Sequence, residues 1–170
     1  MRERGTAVAV IGAAAMAVHG VARSTRDVDL LTLEMDCLEP TSRTALTAAS
    51  VDVQIRRGAA DDPLAGVVRF RAPDETPIDL VVGRSAWQAS VLARAVETEI
   101  ESVRVPVARA ADLILLKLYA GGHQDKWDIE QLLTGPDRER LVAAVDHEVD
   151  ALPADSRRLW ARIRGGAGRA

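Results

Sequence analysis

Two carboxylates with one residue between them, Asp27 and Asp29, open the stretch Asp27-Val-Asp-Leu-Leu-Thr-Leu33. The stretch begins with polar and apolar residues alternating, as in a strand, where side chains two apart point the same way and both acids share one face. Two negative charges within several ångströms repel by roughly 1 kcal/mol even in bulk water. Arg23 and Arg26 can offset them. So can a divalent cation, because hard cations such as magnesium take one or two carboxylates and complete their shells with water and phosphate oxygens. A bare D-x-D also suits a solvated strand edge. A third acid, Asp79, stands near the head of the apolar run Pro77-Ile-Asp-Leu-Val-Val82. It either faces solvent or needs a partner, since burying an isolated acid is costly. A sheet that brings Asp79 beside Asp27 and Asp29 would make a three-carboxylate, two-metal centre. Such centres serve in-line phosphoryl or nucleotidyl transfer, with metals about 3.5–4 Å apart.

The elements that must position these acids are legible as hydrophobic patterns. Ala7–Ile11 reads as a buried strand, Gly12 as a tight strand-to-helix turn, and Ala13–His19 as a short helix with Gly20 at its C-terminal cap. The first N–H groups of such a helix have no intrahelical acceptor and form an anion site suited to a triphosphate. Pro40–Ser50 reads as a helix, Val51–Arg56 and Val67–Arg71 as strands, Ile78–Val82 as a strand ending at Gly83, and Ser85–Ala95 as a helix. Glu97–Val105 alternates again. Beyond Pro106 the period becomes helical, with helices expected over 110–120, 125–133, 137–149 and 154–163. The expected fold is therefore α/β (α+β). It has a mixed sheet flanked by helices over 1–105 and a helical C-terminal segment packed on it over 106–170.

Composition narrows the function. The chain has 170 residues, 48% hydrophobic and 28% charged, enough to bury a core. A formal net charge of −3 argues against a broad basic surface for nucleic acid or anionic membrane. With 3% aromatics there are few platforms on which single-stranded bases could stack. The single cysteine, Cys37, excludes an intramolecular disulfide and a cysteine-based zinc site, and fits a reducing cytoplasm. The N-terminal apolar stretch is too short to span a bilayer and is interrupted by Gly12, so no membrane association is expected. Only Lys117 and Lys126 are lysines among 22 basic residues, which draws attention to Lys117 in its apolar helix.

Val10-Ile-Gly-Ala-Ala-Ala-Met-Ala-Val-His-Gly-Val-Ala-Arg-Ser-Thr-Arg-Asp-Val-Asp-Leu30 resembles the signature of the DNA polymerase β-type nucleotidyltransferases. The likeness is to the branch holding AbiEii-type toxins and minimal nucleotidyltransferases, with the string G-G-x-A-x-x-x-H-G-x-x-R-x-T-x-D-x-D. Gly12, Ala15, His19, Gly20, Arg23, Thr25, Asp27 and Asp29 match it, Asp79 matches the family's later third acid, and Lys117 with Gln124-Asp-Lys-Trp-Asp-Ile-Glu-Gln-Leu132 matches its helical signature. The resemblance covers most of residues 8–133. It implies a nucleotidyltransferase core and transfer of a nucleoside monophosphate from an NTP to an acceptor hydroxyl on tRNA, protein or a small molecule. Two Mg²⁺ or Mn²⁺ ions would be held by Asp27, Asp29 and Asp79. Asp79 would also help deprotonate the acceptor, Lys117 would neutralise developing phosphate charge, and Gly12, Ala13, Arg23 and Thr25 would bind the nucleotide. Asp125 and Asp128 would lie on the cleft wall, or else serve as first-turn acids favoured by the helix dipole. A toxin or antitoxin partner is compatible with this branch.

The chain also departs from the pattern. Ala13 stands where the family commonly has Gly or Ser, leaving only backbone N–H groups for the terminal phosphate. About six residues precede the first strand where the family carries a helix, and Gly121-Gly122-His123 replaces a frequent arginine. These departures motivate an alternative, a catalytically inactive binding or antitoxin subunit on the same fold. His19 reads as a structural residue at a helix end, and Trp127 and Tyr119 as core residues.

Overall fold

The computed structural model describes residues 6–22, 24–39, 50–60 and 62–166. The chain divides into two compact units, Met1–Ala15 with Arg23–Ala108, and Met16–Ala22 with Arg109–Ala170.

The first unit contains strands β1 (Ala9–Ile11), β2 (Val28–Thr32), β3 (Asp52–Arg57), β4 (Leu64–Arg71), β5 (Ile78–Gly83), β6 (Val96–Ile100) and β7 (Val103–Val107). They form one mixed sheet in the order β3-β4-β5-β2-β1-β7-β6. β3, β4 and β5 are an antiparallel meander, and β2 pairs parallel with β5 and antiparallel with β1. β1 runs parallel to β7, which forms an antiparallel pair with β6. The sheet, with its helices and helical C-terminal segment, is the α/β architecture expected from the sequence.

Alternation along the strands separates two faces. On one, Leu30, Val53, Ile55, Val68, Phe70, Leu80 and Val82 pack around Leu38 and Cys37 of a short 3₁₀ turn, Met35–Leu38. The other face receives the in-register residues Asp29, Arg69 and Asp79. A bulge between Leu64 and Gly66 adds a residue to β4, and Ala65 joins the apolar core. β4 therefore starts at Leu64, three residues before the expected Val67. Gly66 looks like a strand breaker in sequence, but here a Cβ would come 2.6 Å from the Arg56 carbonyl oxygen, so glycine is needed for close pairing with β3.

Helix α1 (Gly12–Val18) ends as expected at Gly20, whose φ of 84° is left-handed. The Gly20 N–H donates to the Ala17 carbonyl and the Val21 N–H to the Met16 carbonyl, both at 3.0 Å, which is the Schellman closure. Helix α2 (Ala86–Ala93) starts where Gln88 Oε1 accepts the N–H groups of Arg84 and Ser85, at 3.0 and 2.9 Å. The expected helix over Pro40–Ser50 lies outside the described residues except for Ser50, which is in a turn.

The stretch read as one alternating segment, Glu97–Val105, is part of the β6–β7 hairpin. Its turn residues Glu101 and Ser102 have φ of 47° and 67°. Positive φ at both central positions is the tight hairpin geometry that Asn-Gly normally announces, and Glu-Ser carries no such signal.

In the second unit, α3 (Ala110–Ala120) packs against α4 (His123–Leu132), α5 (Arg138–Glu148) and α6 (Ala154–Gly166). Contact with three helices explains why α3 is apolar nearly all round. Trp160, buried on α6, donates its indole N–H to Asp146 Oδ1 at 2.7 Å, and Arg164 binds the same carboxylate. Among the described residues no helix is long and apolar enough to cross a membrane.

Replacing the hairpin turn by Glu101→Asn with Ser102→Gly places at the two left-handed positions the residue types that adopt them at least cost. It should stabilise the protein by about 1 kcal/mol, seen as a higher urea midpoint with unchanged slope.

Candidate functional site

The polar face of the sheet is assembled by register. Asp29 on β2 is the partner of Asp79 on the parallel strand β5, and Asp79 is the partner of Arg69 on β4. Asp27 precedes β2 by one residue. The Thr25 hydroxyl, expected to bind nucleotide, lies 2.9 Å from Asp27 Oδ1 and 3.0 Å from its carbonyl oxygen, so it holds the Asp27 side chain and the turn into the strand.

Arg69 brings a cation to this face. Its Nε donates to Asp79 Oδ1 at 2.6 Å, a second guanidinium nitrogen contacts Asp79 Oδ2, and that nitrogen lies 3.7 Å from Asp27 Oδ2. The hydrogen bond to Asp79, then the Asp79 charge, with smaller effects of Asp27 and Asp29, hold the guanidinium pKa above its ordinary value. It is a permanent cation. Asp79 is buried, whereas Arg69 and Asp27 are half-exposed. From the sequence, Arg23 and Arg26 or a divalent cation can offset the acids; Arg26 is exposed, and Arg23 lies outside the described residues. Arg69 was missed, although an arginine two residues before a strand end, across a short Pro-bounded loop from Asp79, is what an antiparallel pair would juxtapose.

Gly12 connects β1 to α1 with φ of 62°, in the left-handed region. A Cβ there would overlap the Asp29 carboxylate and stand 2.8 Å from its Cγ. The glycine thus permits both the turn and the approach of Asp29 to the backbone. Ala13 is buried.

Among the described residues no group of three or more His, Cys, Asp or Glu side chains converges closely enough to hold a metal ion. Asp79 is instead turned onto Arg69. The donors nevertheless fit a hard divalent cation in kind: three carboxylates come to one face, with Asp29 seated in space that only a glycine leaves.

The expected helical-unit residues contact one another. The Lys117 ammonium, buried on α3, contacts Asp128 and lies 3.2 Å from Asp125 Oδ1. Asp125 Oδ2 also accepts the Gly122 N–H at 3.0 Å, and Asp128 Oδ1 accepts from Gln124 at 3.1 Å. Gly121, with φ of 69°, closes α3 and starts the link that allows these contacts. Asp125 thereby serves the start of α4, as its helix-terminal reading anticipated. Trp127, expected in the core, is 45% exposed, because α4 buries Asp128, Ile129 and Leu132 instead. Tyr119 is half-buried, and His19 is exposed just beyond α1.

No family model and no curated protein matches the chain. Among solved structures, it is similar to an antigenic nucleotidyltransferase-like protein from Paracoccidioides brasiliensis. That match has 18% identity and a TM-score of 0.47, covering 93% of this chain and 86% of that one. It is also similar to the antibiotic-resistance factor ANT(2″)-Ia in complex with adenylyl-2″-tobramycin, at 15% identity and a TM-score of 0.48 over 97% of this chain and 91% of that one. A third similar structure is the lincosamide antibiotic adenylyltransferase LnuA with lincomycin bound, at 12% identity and a TM-score of 0.47 over 77% and 88% of the two chains.

Lys117→Met should strand the buried Asp128 charge and cost about 3–5 kcal/mol in urea unfolding. Adding Asp128→Leu should recover much of that loss, because an apolar pair no longer buries an unpaired charge.

Proposed function

We propose that the chain is a metal-dependent nucleotidyltransferase, moving a nucleoside monophosphate from an NTP to an acceptor hydroxyl. The observation that carries this reading is the in-register pairing of Asp29 with Asp79 on parallel strands, with Asp27 joined to the same face through Arg69. The signature over Val10–Leu30 supports it independently, and supports the branch containing AbiEii-type toxins and minimal nucleotidyltransferases.

In this proposal Asp27, Asp29 and Asp79 would hold two Mg²⁺ or Mn²⁺ ions. Bound cations would neutralise triphosphate oxygens and the charge that develops during transfer. The acceptor hydroxyl oxygen attacks the α-phosphorus, its proton passes to Asp79, and the bond to the pyrophosphate leaving group breaks. Asp29 stays anchored against Gly12, and Thr25 fixes Asp27. Gly12, Ala13 and Arg23 are assigned to the nucleotide, with backbone N–H groups replacing a hydroxyl at Ala13. The Lys117 ammonium is already shared by two carboxylates, so here its charge ties α3 to α4. The acceptor is a tRNA end, a protein side chain or a small molecule, and the reaction belongs to a cytoplasmic protein, with or without a toxin or antitoxin partner.

The same commitment of Lys117 favours a second reading, an inactive binding or antitoxin subunit. The two separate on one variant. With Mn²⁺ and labelled NTPs, the wild-type chain should transfer label to itself, to tRNA or to a bound partner, and Asp29→Asn should reduce transfer at least about 100-fold while leaving the circular dichroism unchanged. Tight partner binding that survives Asp29→Asn, with no NTP binding at millimolar metal, would select the second reading.

A further inference from the structure

The acidic face already carries a cation. Arg69 uses two guanidinium nitrogens on the two oxygens of Asp79, the geometry in which arginine matches a carboxylate best. One of those nitrogens also reaches toward Asp27, 3.7 Å from Oδ2. The arginine therefore spans two of the three carboxylates that the proposed metals require, and both oxygens of Asp79 are engaged by it. A divalent ion bound at Asp79 would stand within a few ångströms of a guanidinium that cannot deprotonate, and like charges at that range repel. Arg69 is half-exposed, so its side chain has solvent to move into, whereas Asp79 is buried and held in the sheet.

We propose that Arg69 is an internal counter-cation for this face, and that divalent-metal binding is an exchange in which the guanidinium leaves Asp79. The proposal rests on reading Asp27, Asp29 and Asp79 as a metal site. It explains how Asp79 and Asp27 approach one another without metal: Arg69 supplies positive charge between them and keeps Asp79 turned toward β4. It also makes metal affinity a balance, since the clamped form must open before metal is bound. If that form makes up about nine-tenths of the metal-free protein, apparent affinity is lowered about tenfold.

The test is Mn²⁺ titration of the full chain, followed by the electron paramagnetic resonance of free Mn²⁺, for wild type, Arg69→Gln, Arg69→Lys and Asp29→Asn. Arg69→Gln should bind Mn²⁺ about tenfold more tightly, Arg69→Lys should fall between it and wild type, and Asp29→Asn should lose binding. In parallel, the arginine Nε–H resonances of wild type are followed during Mg²⁺ titration, with the Arg69 signal assigned by its loss in Arg69→Lys. That signal should move as Mg²⁺ saturates, which keeps the test decisive if Arg69→Gln does not fold. Equal or weaker Mn²⁺ binding by Arg69→Gln, with wild type binding and Asp29→Asn not, would overturn the exchange while leaving the metal site standing. An Arg69 signal that stays fixed at Mg²⁺ saturation would overturn it too. Absence of Mn²⁺ binding in both wild type and Arg69→Gln at millimolar concentration would remove the metal site itself, and the exchange with it.

Discussion

Like charge on one side of a sheet is the constraint around which the first unit is organised. Neighbouring strands lie about 4.7–4.9 Å apart, so two carboxylates in register on β2 and β5 are close by construction. The alternation that sends Leu30 and Leu80 into the core sends Asp29 and Asp79 to the opposite side. Neither acid can be moved away without slipping the strand and exposing the core face. Positive charge must come to the acids, and Arg69 on β4 brings it from the strand that flanks β5. Gly12 completes the arrangement by leaving out the one side chain that would occupy the place of the Asp29 carboxylate.

The helical unit solves a related problem with the opposite result. Lys117 is surrounded by partners that close on one another: Asp125 is also held by the Gly122 N–H and Asp128 by Gln124. Such a cluster joins α3 to α4. On the sheet, one guanidinium binds Asp79 and reaches toward Asp27.

Much of this was readable in the residues because it depends on period. The strands around Asp29 and Asp79, the apolar face, the left-handed glycines 12 and 20 and the order of the last helices all follow from local pattern and cap chemistry. Three features were not. Parallel pairing of β2 with β5 joins segments nearly fifty residues apart, and nothing in either segment names its partner. The β6–β7 hairpin turns on Glu101 and Ser102, whose types do not advertise a left-handed turn. The role of Arg69 follows only once β4 is known to lie beside β5, although its place across a short loop from Asp79 was a usable hint. Lys117 and Asp128 show the same limit: their types suggested chemistry, and that they are buried and ion-paired is visible only in the fold.

The central claim is that Asp27, Asp29 and Asp79 form one cation site on the sheet, shared between a metal and Arg69. Anomalous diffraction from crystals of the full chain grown with Mn²⁺ and a non-hydrolysable NTP measures it directly. The account predicts a manganese peak bounded by carboxylate oxygens of Asp27, Asp29 and Asp79, with the Arg69 guanidinium withdrawn from Asp79. Nucleotide density without a peak at those carboxylates, or a peak with Arg69 still bound to both oxygens of Asp79, would contradict it.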